Sequence, residues 1–310
     1  MERVIVVVGP TAVGKTKLSI ELAKTLHTEI ISGDSAQVYR GLDIGTAKVT
    51  LEEMEGIKHH LIDILDLNET FSVADFQRLV RSKIKEINAK GMIPIIVGGT
   101  GLYVRSVLFD YKFTENERSN AFKKKYQDYT NEALHELLAS VDEKSAEVIH
   151  PNNRRRVLRA LEIYFEGNAQ KSELQLTEEP KLLYDAYLIG LDLDREKLYD
   201  RINKRVDLML EQGLLEEASQ ALLNNPNLNI IGYKELKPYL LGAAKLEESV
   251  DKIKQNSRNL AKRQLTFFRN QFDLNWFKVD LDHFQKTIDH VQGEVMKWIN
   301  LNLKEKNDVY

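Results

Sequence analysis

The 310-residue chain contains no cysteine and only six prolines. The lack of cysteine excludes disulfides and thiolate metal sites, and it is consistent with a reducing compartment. No apolar run approaches the roughly 20 residues of a membrane span. The short apolar run at the amino terminus leads into a glycine-rich loop and lacks the features of a signal peptide. We therefore expect a soluble, cytoplasmic protein with no membrane partner.

The chain lacks a large excess of either charge, since 44 Lys and Arg face 47 Asp and Glu for a formal net charge of −3. Such a chain has no overall field that attracts a polyanion, so any nucleic-acid binding must come from local basic clusters. The length and an apolar content of 43% allow a sizeable core. The chain suits one large domain or two unequal ones.

Short β-branched runs alternate with helical patterns in the first third of the chain. Residues 3–8 are typical of a fully buried strand, residues 15–26 of an amphipathic helix, and residues 92–97 of another strand. Strands separated by helices predict right-handed crossovers and a parallel sheet covered on both faces. The other predicted elements are strands at 29–32 and 186–191 and helices at 76–89, 195–211, 214–223 and 246–270.

This pattern predicts an α/β fold, a P-loop NTPase-like parallel sheet flanked by helices. Near residue 111 the sequence becomes charged and helical in period, with basic runs at 123–125 and 154–156. We interpret residues 112–181 as a helical insertion domain. Residues 1–111 and 182–310 then form the P-loop catalytic core.

A glycine-rich segment, GPTAVGKT, directly follows the first strand and precedes the first helix. In the pattern G-x-x-x-x-G-K-T, backbone N–H groups point into the loop and the helix N-terminus adds positive potential. The lysine supplies charge to the outer phosphate oxygens, and the threonine hydroxyl is placed to bind Mg²⁺. The predicted diphosphate-binding residues are Gly9, Pro10, Thr11, Ala12, Val13, Gly14, Lys15 and Thr16, with Thr16 as the metal ligand.

The phosphate loop alone does not identify its ligand. A P-loop NTPase usually presents an apolar strand that ends in aspartate, whereas the strand at 92–97 ends in Gly-Gly-Thr-Gly. Ligands gather at the carboxyl ends of parallel strands, so Asp34 and Thr100 should lie beside the phosphate loop. Asp34 could bind metal, act as a general base or cap a helix, and Gln37 suits the edge of adenine.

Several longer motifs occur in a fixed order along the chain. They are GPTAVGKT, DSAQVYRGLDIGTAK, HHLIDI, FSVADF, GGTGLY, RALE, RINKRVDLMLEQGLLEEA, IGYKEL and QNSRNLAKRQLTFFRNQ. Together they resemble the tRNA dimethylallyltransferases, also called tRNA isopentenyltransferases, from residue 9 to about residue 271. In that family, dimethylallyl diphosphate donates its prenyl group to the exocyclic amine of the adenosine immediately 3′ of the anticodon.

The resemblance implies that the whole diphosphate leaves from the phosphate loop, with Mg²⁺ as cofactor. Asp34 matches the family's general base, and Thr100 matches a residue that contacts the reacting region and the nucleotide. Arg205 is our candidate for a further diphosphate contact, with a surface ion pair as the alternative. The predicted catalytic residues are therefore Asp34, Lys15, Thr100 and Arg205.

The resemblance also implies contact with the anticodon stem-loop of tRNA at the loop after Asp34 and at the segment RRVLR, where relatives often carry QRIQR. A third surface is the late helix, where Arg258, Lys262, Thr266 and Arg269 recur at helical spacing. The predicted tRNA-binding residues are Asp34, Ser35, Ala36, Gln37, Thr100, Arg155, Arg156, Val157, Leu158, Arg159, Arg258 and Lys262.

Three other functions are open at this point. A small-molecule kinase or NTPase would bind ATP and act without tRNA, and a non-catalytic RNA-binding module would show no prenyl turnover. An adenylate isopentenyltransferase would use free AMP or ADP, but the insertion and the basic helix favour a macromolecular acceptor. We interpret His59 and His60 as structural, because no third metal ligand has a suitable spacing. We expect a monomer.

Overall fold

The computed structural model describes residues 1–110, 120–167, 170–174 and 181–307. The chain forms two compact units, one of Met1–Leu108 with Leu182–Tyr310 and the other of Phe109–Lys181. The predicted domain boundary after residue 111 lies outside the described residues. The units separate again between residues 181 and 182.

The first unit is built on a sheet whose six described strands lie in the order β3-β2-β4-β1-β5-β6, with every adjacent pair parallel. A central strand in such a sheet is buried on both faces, which explains the unbroken β-branched run of β1. The predicted parallel α/β fold is confirmed. The strands are β1 (Arg3–Val8), β2 (Ile30–Ser32), β3 (His59–His60), β4 (Ile95–Gly98), β5 (Asp185–Asp192) and β6 (Asn275–Lys278).

Helices flank this sheet and also make up the second unit. Many begin at a side chain that accepts backbone N–H groups, such as the Ser72 and Asp75 capping box of α2. In chain order they are α1 (Lys15–Leu26), α2 (Val73–Ala89), α3 (Gly101–Leu108), α4 (Asn120–Lys125), α5 (Asn131–Val141), α6 (Glu143–Val148), α7 (Arg154–Gly167), α8 (Lys171–Leu174), α9 (Arg195–Glu211), α10 (Leu214–Asn224), α11 (Tyr233–Leu240), α12 (Leu246–Gln271) and α13 (Phe284–Asn307).

Several elements differ from those predicted. β4 begins at Ile95, not at residue 92, because Pro94 has no N–H to donate to a neighbouring strand. The short strand β6 was not predicted, since only Phe277 of its four residues is buried and the apolar pattern is weak. The strand β3 and the helices α3, α11 and α13 were not predicted either.

The second unit consists of helices α4 to α8 around a small core of its own. The Arg154 guanidinium donates to the carbonyl oxygens of Tyr126, Gln127 and Tyr129, which fixes the start of α7. The buried residues of this core are Phe122, Tyr126, Leu134, Leu138, Ala146, Ile149, Val157, Ala160 and Leu161. Across both units, no helix in the described part of the chain has the length and hydrophobicity to cross a bilayer.

Candidate active site

The phosphate loop lies between the end of β1 and the start of α1, as predicted. Gly14 precedes the helix with a left-handed φ of 109°, and its lack of a side chain leaves the N-terminus of α1 uncapped. The first backbone N–H groups of a helix are free to bind an anion when no side chain satisfies them. The Lys15 ammonium lies over this loop and donates to the carbonyl oxygens of Gly9 and Pro10, at 3.0 and 2.8 Å.

Two basic groups and one carboxylate dominate the electrostatics of the loop. Burial and the nearby Arg205 charge lower the pKa of Lys15 to about 7, while Asp34 opposes the shift. Burial also lowers the pKa of Arg205, against the attraction of Asp34 and Glu53. Concentrated positive charge at the mouth of an uncapped helix favours a multiply charged anion.

Helix α9 places two arginines against the outer side of the phosphate loop. Leu198, Ile202 and Val206 are buried in the core, and Arg201 and Arg205 lie on the neighbouring face of α9. Arg205 Nη1 donates to Thr11 Oγ1 at 3.2 Å, and Arg201 Nε donates to the Ala12 carbonyl oxygen at 2.9 Å. Arg205, the predicted diphosphate contact, therefore lies against the phosphate loop, and Arg201 is a second loop contact that was not predicted.

Asp34 and Thr100 follow the carboxyl ends of the neighbouring strands β2 and β4, where Thr100 contacts Ser35, the residue after Asp34. Thr100 Oγ1 accepts the Ser35 N–H at 3.3 Å, and Asp34 Oδ1 accepts the Ala36 N–H at 2.8 Å. The residues after Asp34 form turns, so Asp34 closes an Asx-type turn and does not cap a helix. β2, β4 and β1 are neighbours in the parallel sheet, so Asp34 lies at the same edge as the phosphate loop, where its charge raises the pKa of both Lys15 and Arg205 against the effect of burial.

The segment from Gly33 to Lys48, which we call the Asp34 loop, has little regular structure. Gln37 uses its amide inside this loop, accepting from Ser32 Oγ at 3.1 Å and approaching the carbonyl oxygens of Thr46 and Ala47 at 3.4 Å. The predicted contact of Gln37 with adenine would have to compete with these bonds. The buried Lys48 ammonium adds further bonds, to the Tyr39 carbonyl oxygen and to the carboxylates of Asp43 and Asp63.

A glutamate from α10 anchors the Asp34 loop. Glu217 accepts the backbone N–H groups of Asp43, Ile44 and Gly45 at 2.8 to 2.9 Å, and the Tyr233 hydroxyl at 2.6 Å. Burial and the Glu217 carboxylate raise the pKa of Tyr233, so its hydroxyl stays protonated and donates. Glu217 therefore connects the loop that carries Asp34 to the helical pair α10–α11.

Helix α12 presents polar side chains along an open groove. Lys262 is exposed there, as predicted, but Arg258 donates to Asn203 Oδ1 at 2.6 Å and is partly buried. Arg269 pairs with Asp192 at 2.8 Å, so it is not in the groove as the helical spacing suggested. The groove is lined by Asn259, Lys262, Arg263, Thr266, Phe267, Asn270 and Gln271.

The arginine-rich segment of the insertion begins helix α7. Arg155 and Arg156 are exposed in its first turn, whereas Arg159 pairs with Glu162 at 2.6 Å. Val157 is fully buried in the core of the second unit, and Leu158 packs against that core. The Val157 side chain is therefore a core side chain, which leaves only its backbone for the predicted contact with RNA, whereas the Leu158 side chain is half-buried.

The two histidines of β3 have partners of their own. His60 Nε2 lies 2.5 Å from Glu29 Oε2, and His59 Nδ1 lies 2.8 Å from the Ile57 carbonyl oxygen. Burial lowers the pKa of both imidazoles. Among the described residues, no group of three or more His, Asp or Glu is arranged to hold a metal ion.

Two further residues of the site, Gln264 and Glu217, were not predicted. Gln264 on α12 accepts the Thr11 N–H at 2.9 Å and donates to the Gly99 carbonyl oxygen at 3.1 Å. Both residues lie within the motifs quoted above, LAKRQLTFF and GLLEEA. The motifs could have indicated them, but their backbone partners lie more than 160 residues away in the sequence.

The chain is similar to known proteins over most of its length. The family model "IPP transferase" matches residues 37–271. A tRNA dimethylallyltransferase of Bacillus cytotoxicus is 51% identical over 99% of this chain and 98% of its own length. The enzyme of that name from Bacillus velezensis is 54% identical over 92% of this chain and 95% of its own length.

Two solved structures give the same result. The tRNA delta(2)-isopentenylpyrophosphate transferase of Staphylococcus epidermidis has a TM-score of 0.70 and 46% identity, and the match covers 96% of this chain and 99% of that one. A eukaryotic dimethylallyltransferase, solved acting on tRNA, has a TM-score of 0.85 and 30% identity, with coverage of 97% and 80%. The resemblance inferred from the motifs is thereby confirmed, and this chain belongs to the IPP transferase family.

Proposed function

We propose that this protein transfers a dimethylallyl group from dimethylallyl diphosphate to the exocyclic amine of the adenosine immediately 3′ of the anticodon in tRNA, releasing diphosphate. The names of the relatives supply the donor class and the acceptor. The observation that carries the assignment of roles is the position of Asp34 and Thr100 beside a phosphate loop flanked by Lys15 and Arg205.

The phosphate loop stabilises the leaving group. When the bond to the allylic carbon breaks, negative charge develops on the bridging oxygen of the diphosphate. The uncapped backbone N–H groups at the start of α1, Lys15 and Arg205 all lie at this loop, and Lys15 has only to exchange the Gly9 and Pro10 carbonyl oxygens for the diphosphate. Anion binding would also raise the pKa of Lys15 from its value near 7, so the bound donor keeps the ammonium charged.

Asp34 activates the acceptor. The lone pair of an adenine exocyclic amine is delocalised into the ring, so the amine is a weak nucleophile until it loses a proton. A well-placed base accelerates such a step by about 10²- to 10⁴-fold. Asp34 Oδ1 is occupied by the Ala36 N–H, which fixes the carboxylate and leaves Oδ2 to accept the proton.

The residues present fit a magnesium ion bound together with the donor. Thr16 is exposed at the start of α1, and the described residues hold no carboxylate cage of their own near it. Mg²⁺ commonly binds through one or two protein groups and the phosphate oxygens of the substrate. When bound, the ion would neutralise charge on the departing diphosphate.

The acceptor base must leave the stacked anticodon loop before it can reach Asp34. Extruding an already unpaired base costs about a few kcal/mol, which contacts to the RNA backbone must supply. Arg155 and Arg156 on α7 and Lys262 on α12 are exposed and suited to phosphate contacts. We further propose that the protein acts as a monomer in the cytoplasm.

The test is a transfer assay with purified protein, unmodified tRNA, Mg²⁺ and labelled dimethylallyl diphosphate, followed by mass spectrometry of the nucleosides. Parallel reactions replace the donor with labelled ATP, or the tRNA with AMP. Label in one tRNA adenosine with the prenyl donor alone supports the proposal. Label in AMP, or phosphoryl transfer from ATP, contradicts it and supports an adenylate isopentenyltransferase or a kinase.

A further inference from the structure

A single side chain joins the phosphate loop to the loop that follows β4. Gln264 Oε1 accepts the Thr11 N–H of the phosphate loop at 2.9 Å, and Gln264 Nε2 donates to the Gly99 carbonyl oxygen at 3.1 Å. One carboxamide thus satisfies a backbone donor on one loop and a backbone acceptor on the other. Neither glutamate nor an apolar side chain of the same size could make both bonds.

The backbone at Gly99 is shaped to fit this carboxamide. A Cβ atom at Gly99 would lie 2.3 Å from Gln264 Nε2, 3.2 Å from its Cδ and 3.8 Å from its Oε1. These are the three nearest atoms, so the clash involves Gln264 and no other residue within that range. The φ of Gly99 lies outside the left-handed region, so its backbone conformation does not require glycine. The lack of a side chain at this position therefore serves the contact with Gln264.

Contacts from α12 also reach the residues beside Thr100, where the acceptor is proposed to bind. Phe267, one helical turn beyond Gln264, covers Gly101, where a Cβ would lie 2.2 Å from its ring. Helix α12 therefore fixes both residues that flank Thr100. Thr100 in turn accepts the N–H of Ser35, the residue after Asp34. A continuous series of contacts leads from the phosphate loop through Gln264 to the proposed base.

We propose that Gln264 is a positioning residue that sets the spacing between the bound diphosphate and the Asp34–Thr100 pair. The inference rests on the proposed function, because it concerns the alignment of donor and acceptor in that reaction. Transfer needs the allylic carbon between the leaving oxygen and the attacking amine. A displacement of about 1 Å between two such groups costs about 100-fold in rate.

The first test is the Gln264→Met variant, which keeps the length of the side chain but loses both hydrogen bonds. Its single-turnover rate constant, with enzyme in saturating excess over tRNA and with saturating dimethylallyl diphosphate, should fall by about 10- to 100-fold. That constant does not depend on the fraction of unfolded protein. Dissociation constants for dimethylallyl diphosphate and for tRNA should change by less than about threefold, since no substrate contact is removed. The matched control is Gln255→Met, an exposed glutamine of the same helix, which should match the wild type.

The second test uses the fit between Gly99 and Gln264. Gly99→Ala should displace the carboxamide and reduce the rate constant about as much as Gln264→Ala. In the Gln264→Ala background, the same Gly99→Ala change should have little further effect, because the atoms it would strike are gone.

Three outcomes are distinguishable. A Gln264→Met rate constant within about twofold of the wild type overturns the inference while leaving the proposed function intact. The inference is also overturned if the losses in rate constant from Gly99→Ala and Gln264→Ala multiply in the double variant. A wild-type enzyme without prenyl transfer overturns the proposed function, and the inference with it.

Discussion

The phosphate loop and the Asp34 loop lie at the same edge of the sheet, but they are held in place differently. The phosphate loop joins β1 directly to α1, and Gln264, Arg201 and Arg205 contact it from α12 and α9. The Asp34 loop has little regular structure and depends on Glu217, which lies 172 to 174 residues away from the backbone groups it binds. Binding of the donor and placement of the base should therefore respond to different mutations.

The largest difference between the effect on catalysis and the effect on donor binding is expected from Asp34→Asn. Asparagine keeps the oxygen that accepts the Ala36 N–H, so the turn survives while the base is lost. The single-turnover rate constant should fall by about 10²- to 10⁴-fold, with unchanged affinity for dimethylallyl diphosphate. Rapid-quench assays and calorimetric donor binding measure the two quantities. A rate within about threefold of the wild type would remove Asp34 as the base.

The anchor of the Asp34 loop gives the next largest effect. Glu217→Ala leaves three backbone N–H groups and the Tyr233 hydroxyl without their acceptor, so the loop should loosen and turnover should fall by at least about tenfold. Tyr233→Phe removes only one of these bonds and should cost about 1 kcal/mol of stability, with a smaller loss of rate.

Donor affinity is the measurement that shows whether the two loops are independent. The Glu217→Ala variant should bind dimethylallyl diphosphate as the wild type does, because the phosphate loop does not contact Glu217. A donor affinity that falls in parallel with turnover would show that the two loops are one cooperative unit.

The pH dependence of donor binding tests the phosphate loop through the titration of Lys15. The ammonium is charged below its pKa of about 7 and neutral above it, so the free enzyme loses positive charge as the pH rises. The dissociation constant for dimethylallyl diphosphate should rise with pH above 7, approaching about tenfold per unit. The Lys15→Met variant should bind weakly and show no such rise. A wild-type dissociation constant that stays flat from pH 6.5 to 8.5 is incompatible with this account.

The smallest effect is expected from the insertion, which belongs to the second unit, whereas both loops belong to the first. Arg155→Ala should weaken tRNA binding by about two- to fivefold and lower the slope of log affinity against log salt by about 1. Filter binding at several salt concentrations measures both values. Lys144→Ala removes an exposed charge elsewhere in the same unit and serves as the control. Equal losses from the two variants would mean that Arg155 acts through general charge alone.

The local elements of this fold were predictable because their signals lie in neighbouring residues. β1, α1 and α9 occupy the predicted ranges Arg3–Val8, Lys15–Leu26 and Arg195–Glu211. The glycine pattern of the phosphate loop places Lys15 by itself, and strand topology then places Asp34 and Thr100 beside it. These residues required no knowledge of distant contacts.

The supporting residues were not predictable in this way. A glutamate such as Glu217 in an amphipathic helix has the pattern of a solvent-facing residue, and only the folded chain shows the three N–H groups around it. Gln264 does not belong to the basic stripe of α12, and only the folded chain shows the backbone groups of Thr11 and Gly99 that it binds. Val157 belongs to the core of the insertion, a placement that the charged sequence around it conceals.

The most direct test of the central claim is a crystal structure with a non-reactive thiolo analogue of dimethylallyl diphosphate. We predict the diphosphate on the loop Gly9–Thr16, with the Lys15 ammonium moved from the Gly9 and Pro10 carbonyl oxygens onto the phosphate, and the allylic carbon facing Asp34. An analogue bound elsewhere, with a nucleoside triphosphate occupying the loop in a productive pose, would contradict the account.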